Sequence, residues 1–199
     1  MISALVLAAG KSERMGRPKL ALPWGDSTVL GAVLQALAAA GLEDVRVVTG
    51  AARDLVESLC AEIAVTMVAN AEYERADMLS SIQAGLRSLP EASQAALIVL
   101  GDQPQIMADT VQRVVEAYRQ STPRLVVPSH SMRRGHPWLV ERGLWQELLD
   151  LRPDDTARRF LRQHDAEIKY VEIDSPTILQ DLDTPDDYLN SRPRRAIVK

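Results

Sequence analysis

Cysteine occurs once in the 199-residue chain, as Cys60, which excludes an intrachain disulfide framework and any cysteine-built zinc site. A lone thiol of this kind is expected on a helix, buried or half-buried, in a reducing compartment. Aromatic side chains supply only 4% of the residues and no two are adjacent, so no base-stacking platform for single-stranded nucleic acid is present. Positive charge is not in excess either: 23 lysines and arginines stand against 27 acidic residues, a net charge of −4. That balance leaves no broad cationic surface for duplex DNA or anionic lipid, so a bound anion has to meet a local cationic site. No apolar run approaches the ~18 residues of a membrane helix. The start, MISALVLAAG, lacks a basic leader, and the expectation is a cytoplasmic protein with neither nucleic-acid nor membrane partners.

What is present is an ordinary globular composition, 46% hydrophobic and 25% charged, in a length suited to one domain. A chain of this size is expected to bury about 70% of its extended surface, enough for a full core. Short apolar runs at 2–8, 45–49, 63–69, 95–100 and 124–128 alternate with segments of helical periodicity, the pattern of a parallel α/β sheet. The clearest helix carries Leu30, Val33, Leu34, Leu37 and Ala38 on one face, with Asp26 and Ser27 as candidate caps and Gly41 as its stop. Leu79, Ile82, Leu86 and Leu89, then Val111, Val114, Val115 and Tyr118, repeat the spacing. Beyond Pro128 the pattern changes: a basic stretch leads into Trp138-Leu139-Val140, helices near 141–151 and 155–164, a strand over 167–173, and a last helix opened by Pro185. One domain over residues 1–190 is expected, with 191–199 a basic, frayed tail.

Three constellations carry chemistry. The first, LAAGKSERMGRPKL at 7–20, follows a hydrophobic strand, and ligands of open α/β sheets bind beyond the carboxyl ends of strands. Gly10 and Gly16 allow backbone to approach a phosphate, while Lys11, Arg14, Arg17 and Lys19 supply charge. The segment fits neither the Walker pattern nor GxGxxG, and the second strand ends Thr49-Gly50 without the ribose-binding acid, which disfavours a P-loop ATPase or a nicotinamide dehydrogenase. The second, AALIVLGDQP at 95–104, puts the Asp102 carboxylate at the same sheet edge. Facing a triphosphate it would be repelled, unless Mg²⁺ sits between them. The third, DLDTPDDYL at 181–189, places Asp181 and Asp183 on one side of an extended segment and leaves Asp186 and Asp187 to favour the first turn of a helix.

The match LAAGxSxRMGxPK resembles the nucleotide-binding signature of nucleotidyltransferases, above all the molybdenum cofactor cytidylyltransferases. The resemblance runs from about residue 4 to 190. It implies a Rossmann-like three-layer α/β/α fold with a mostly parallel sheet and a late antiparallel excursion. It also implies that the loop Leu7, Ala8, Ala9, Gly10, Lys11, Ser12 and Gly16 wraps the triphosphate, that Lys19 contacts phosphate, and that Arg14 is the signature arginine. Asp102 becomes a metal and nucleotide ligand, Asp183 in the D-x-D-T-P element a second metal ligand, and Asp181 a weaker candidate. Arg134-Gly135-His136-Pro137 resembles an R-G-H-P element found near the acceptor site of the cytidylyl branch; with LAAG in place of LAGG it points to CTP rather than GTP. The segment 70–86, with Ser80 and Ser81 at the opening of a helix, is similar to the family's nucleotide side, although Ala76-Asp77 stands where glycine is common.

Chemistry agrees with that reading. An acceptor phosphate monoester has a second pKa near 6 and is mostly dianionic at neutral pH, so it needs no general base. Positioning, Mg²⁺ and cations are what the reaction requires. The expected reaction is transfer of CMP from CTP to molybdopterin, with a molybdoenzyme or its chaperone as a further partner. Alternatives are a guanylyltransferase on the same pterin, a cytidylyltransferase on another acceptor such as methylerythritol phosphate, and a non-catalytic module that delivers the cofactor.

Overall fold

The computed structural model describes residues 1–75 and 77–193. The elements are β1 (Ile2–Ala8), β2 (Pro23–Trp24), β3 (Ser27–Thr28), α1 (Val29–Ala39), β4 (Asp44–Thr49), α2 (Arg53–Leu59), β5 (Thr66–Ala69), α3 (Met78–Arg87), β6 (Ala95–Leu100) and α4 (Ala108–Ser121). They continue with β7 (Leu125–His130), β8 (Arg133–Arg134), β9 (Trp138–Glu141), α5 (Trp145–Asp150), α6 (Ala157–Gln163), β10 (Ile168–Glu172) and α7 (Pro185–Ser191). The main sheet runs β10-β7-β9-β6-β1-β4-β5, with β8 paired to β7 and β2-β3 a separate hairpin. Pairings are parallel except where β9 lies antiparallel between β6 and β7, and in the two hairpins. This is the expected late antiparallel excursion.

Strand alternation sends successive side chains to opposite faces, and both faces are covered. Ala4, Val6, Leu97, Val99 and Leu139 join the cluster under α1 and α4. Leu5, Ala96, Ile98, Trp138 and Val140 join the one under α3, α5 and α6. The three layers are therefore helix, sheet, helix. Each fully buried leucine, isoleucine or valine contributes about 1.5–3 kcal/mol, so the paired clusters dominate the stability of the frame. Cys60 caps α2 from within the first cluster, as a free buried thiol.

Several boundaries differ from the sequence reading. The α1 cap is Thr28, whose hydroxyl accepts from the Gly31 amide at 3.1 Å; Ser27 is instead drawn into the β2-β3 hairpin. The strand expected over 63–69 begins at Thr66, because Ile63 closes a turn on the Cys60 carbonyl. The helix expected from 141 begins at Trp145, since Glu141 belongs to β9 and its side chain accepts from the Gly143 amide. Gly41, at φ +79°, ends the α1 region in the left-handed conformation that glycine adopts readily. Of the expected tail, 191–193 are described, and residues 194–199 and Ala76 lie outside the described residues.

Sheet order fixes where a ligand can bind. From β1 the chain moves to β4 on one side and later returns to β6 on the other, so the carboxyl ends of β1 and β6 flank a topological switch point. Their register pairs Leu7 with Leu100, and the Gly101 amide donates to the Leu7 carbonyl at 3.0 Å. A Cβ at 101 would sit 2.9 Å from that carbonyl oxygen, so only glycine lets the two strand ends close up.

Candidate functional site

The loop after β1 folds on itself. Met15 and Gly16 amides donate to the Ser12 carbonyl, at 3.1 and 3.2 Å, and the Lys19 amide donates to the Ser12 hydroxyl at 3.3 Å. Gly16 has φ +68°, a conformation that a side chain would strain. Met15, Leu20 and Leu22 are buried in the first core cluster and anchor the loop. Lys19 therefore starts a short 3-10 turn facing the switch point, with only 13% of its side chain exposed.

Two carboxylates meet it there. Lys19 Nζ makes a short ion pair with Asp102 Oδ2 and lies 3.3 Å from Asp183 Oδ1, while Arg14 Nη1 reaches Asp183 Oδ2 at 2.8 Å. Asp102 comes from the end of β6. Asp183 is brought in by Leu182, which is fully buried and whose amide donates to the Asp102 carbonyl at 3.1 Å. With Leu182 turned inward, Asp181 and Asp183 share the outer side, as their spacing predicts. The helix that follows locks the segment: Thr184 and Asp187 form a capping box at the start of α7. Burial works against the Lys19 charge, but Asp102 and Asp183 outweigh it and raise the ammonium pKa above its usual value. Partial desolvation raises the Asp181 pKa, helped by the charges of Asp183 and Asp102.

Arg14, Lys19, Asp102 and Asp183 line a cavity of about 480 Å³ together with Leu7, Ala8, Ala9, Gly10, Lys11, Ser12 and Ser81. That is a size suited to a small ligand. Gly16, Arg17, Ser80 and Asp181 are not in its lining. Gly16 shapes the loop through its positive φ, Arg17 lies over the Tyr188 ring at 5.8 Å, and Ser80 is buried, where it accepts from Asn70 Nδ2 at 3.1 Å. Asn70 also donates to Ser81, at 3.2 Å, and ties the α3 start to the end of β5. Tyr73, Asp77 and Met78 also line the cavity; they lie in the 70–86 segment that the resemblance puts on the nucleotide side, but only Ser80 and Ser81 were singled out there. Asp77 could have been found as the cap of α3, since its carboxylate accepts from the Ser80 amide at 2.6 Å.

A second cavity, of about 1020 Å³, adjoins the first and shares Asp77 and Met78 with it. Arg134, Gly135 and His136 line it beside Trp138 and Leu161; Pro137, joined to His136 by a cis peptide, does not. Arg134 is ion-paired with Asp165 and donates through Nε to the Tyr170 hydroxyl at 2.8 Å. A Cβ at Gly135 would clash with the Ile178 carbonyl oxygen, so this turn passes directly against the 176–179 segment. The His136 amide and the Gln103 side chain both donate to that carbonyl, at 3.0 and 3.3 Å. Burial lowers the His136 pKa to about 4, so the ring is neutral at pH 7.

The sequence matches the MobA-like NTP transferase domain over residues 4–168. The chain belongs to this family. It is 27% identical over 197 residues to the molybdenum cofactor cytidylyltransferase of Escherichia coli K12, spanning 97% of this chain and 96% of that protein. A nucleotidyl transferase from Methanothermobacter thermautotroptrophicus superposes with a TM-score of 0.84 at 27% identity, covering 96% of both chains. Rv0371c from Mycobacterium tuberculosis, in a complex with manganese, gives 0.78 at 28% identity over 95% of this chain and 96% of that one. The three-layer fold and the enzyme class follow: this MobA-like protein is a nucleotidyltransferase, related to cytidylyltransferases.

The family generally uses a divalent metal, and Rv0371c is seen with manganese. The donor set here fits one. Asp102 and Asp183 are hard oxygen donors that already converge on a single cation, the Lys19 ammonium. Among the described residues no group of three or more histidine, cysteine, aspartate or glutamate side chains forms a metal cage. Two carboxylates completed by phosphate oxygens and water are the usual provision for Mg²⁺.

Proposed function

We propose that this MobA-like protein transfers CMP from CTP to the phosphate of molybdopterin, with Mg²⁺ and with release of pyrophosphate. The observation that carries the proposal is the Asp102, Lys19, Asp183 and Arg14 cluster at the switch point, opening beside a larger cavity that shares Asp77 and Met78 with it. Two adjoining cavities suit a two-substrate transfer. The LAAG start, the Arg134-Gly135-His136-Pro137 element and the full-length similarity to a molybdenum cofactor cytidylyltransferase favour CTP and a pterin acceptor.

In this reading residues 1–190 are the catalytic domain. Leu7 to Ser12 hold the triphosphate by backbone contact, Gly16 shapes the turn, and Ser80 and Ser81 support the nucleotide side. Lys19 and Arg14 neutralise the phosphates. Asp102 and Asp183 would hold Mg²⁺, which when bound neutralises charge developing on the triphosphate. Arg134, Gly135 and His136 line the acceptor side; Pro137 and Asp181, the other two acceptor-side candidates, lie outside the lining of both cavities. An oxygen of the acceptor phosphate, dianionic at neutral pH, bonds to the α-phosphorus of CTP. The bond from that phosphorus to the α-β bridging oxygen breaks, and its electron pair leaves with pyrophosphate. The product is a diphosphate linking CMP to the pterin. The reaction belongs to the cytoplasm, and the nucleotide-bearing pterin passes to a molybdoenzyme or its chaperone.

The test is pyrophosphate release from CTP and from GTP, with Mg²⁺ and molybdopterin present. CTP is expected to react faster. Equal or reversed preference moves the protein to a guanylyltransferase role, and stoichiometric cofactor binding with no pyrophosphate makes it a delivery module.

A further inference from the structure

We infer that Lys19 is the resident counter-ion of the two carboxylates, and that divalent metal and triphosphate enter by exchange with it. The metal takes Asp102 and Asp183, and the phosphates take Lys19 and Arg14. The inference rests on the assignment of the metal to Asp102 and Asp183 in the proposed function.

The charge arrangement is the reason. Asp102, Lys19, Asp183 and Arg14 form an unbroken chain of alternating sign, neutral as a unit. Lys19 touches both acids, and the exposed fractions of the Lys19, Asp102 and Asp183 side chains are 13, 19 and 27%. In so desolvated a place a triphosphate that arrived alone would meet two carboxylates, and a divalent ion that arrived alone would have to share them with an ammonium. Arriving together, each anion and each cation finds an opposite partner. The side chain can make the move without its backbone. Leu20 and Leu22 are buried and the Lys19 amide is held by Ser12, whereas the ammonium rides on a flexible stem with three rotatable donors. Reciprocity then requires that triphosphate tighten metal binding by the same factor as metal tightens triphosphate binding.

The probe is Mn²⁺, with binding read from the electron paramagnetic resonance signal of the free ion. The proteins are the full chain, Lys19→Met, Lys19→Gln, and a double variant carrying Asp102→Asn and Asp183→Asn, each checked by thermal melting. Without nucleotide, both Lys19 variants are expected to bind Mn²⁺ on the order of tenfold tighter than the unaltered protein. Against a control of analogue and Mn²⁺ without protein, a non-hydrolysable CTP analogue is expected to tighten Mn²⁺ binding strongly in the unaltered protein and much less in the Lys19 variants. Equal or weaker Mn²⁺ affinity in the Lys19 variants overturns the exchange. If the double carboxylate variant keeps full Mn²⁺ binding in the absence of nucleotide, the metal assignment itself fails. A measurement on the unaltered protein needs no variant: Mn²⁺ raised until its own binding saturates should speed acetylation of Lys19 by acetic anhydride, read by peptide mass spectrometry. An unchanged rate at saturation also overturns the exchange.

Discussion

At the scale of single residues, Asp102 and His136 show how position sets chemistry. Asp102 faces Lys19 at the end of β6, so Asp102→Ala removes one of the two candidate metal carboxylates while Asp183 keeps its pairs with Lys19 and Arg14. Turnover of CTP is expected to fall on the order of 10²–10³-fold with the fold retained, checked by steady-state pyrophosphate release beside a melting curve. Near-normal turnover would remove Asp102 from the mechanism. His136 has a different consequence, in stability. Its folded pKa of about 4 lies below the ordinary 6.5, so the unfolded chain binds a proton that the folded one refuses between those values. The contribution is fully present above about pH 6.5 and is lost as pH falls toward 4. Between pH 7 and pH 5 the unaltered protein should lose about 2 kcal/mol more unfolding free energy than His136→Gln, measured by urea titration at both values. Parallel pH profiles for the two proteins would contradict a neutral buried His136. The histidine beside proline was visible in the sequence, but its burial was not, because that depends on the 176–179 segment arriving from a distant part of the chain.

At the scale of elements, helix α7 positions a site residue as well as packing against the core. Its capping box fixes Thr184 next to Asp183, and the Tyr188 hydroxyl donates to the Pro23 carbonyl at 2.8 Å, binding α7 to the β2-β3 hairpin. Thr184→Ala should cost about 1 kcal/mol of stability through the lost cap. It should also weaken triphosphate binding, because Asp183 loses its fixed backbone; calorimetry with a CTP analogue measures this. Unchanged affinity at reduced stability would leave the cap a purely structural role. The TPDD pattern announced this helix start in the sequence, and the apolar spacing announced α1, α3 and α4. The β2-β3 hairpin was not legible: its strands are two residues each, too short to show a period, and they stole Ser27 from the cap position that Thr28 took.

For the whole molecule, the net charge of −4 and the local cation cluster are reconciled by pairing. Coupled binding should then appear as global stability. A CTP analogue with Mg²⁺ at about 100 times the dissociation constant adds about 2.7 kcal/mol, a rise of several degrees in melting temperature. Analogue with EDTA, or Mg²⁺ alone, should give markedly smaller rises in the same scan; equal shifts for the three would deny the coupling. Among the described residues no helix is long and apolar enough to cross a membrane, in line with the short hydrophobic runs. The alternation of buried strands and amphipathic helices, the glycine-bearing cationic turn at 7–20 and the carboxylate of Asp102 at a strand end were legible in the sequence alone, because they follow from local periodicity, turn chemistry and charge, while the part given to Asp183 came from the resemblance of its motif. Only the tertiary structure decided which of the four early cations face the switch point and which, like Arg17, turn to an aromatic ring instead. It alone joined Lys19 to two acids some 80 and 160 residues away. Those outcomes depend on strand order and on Leu182 filling the core, long-range packing that no local pattern encodes.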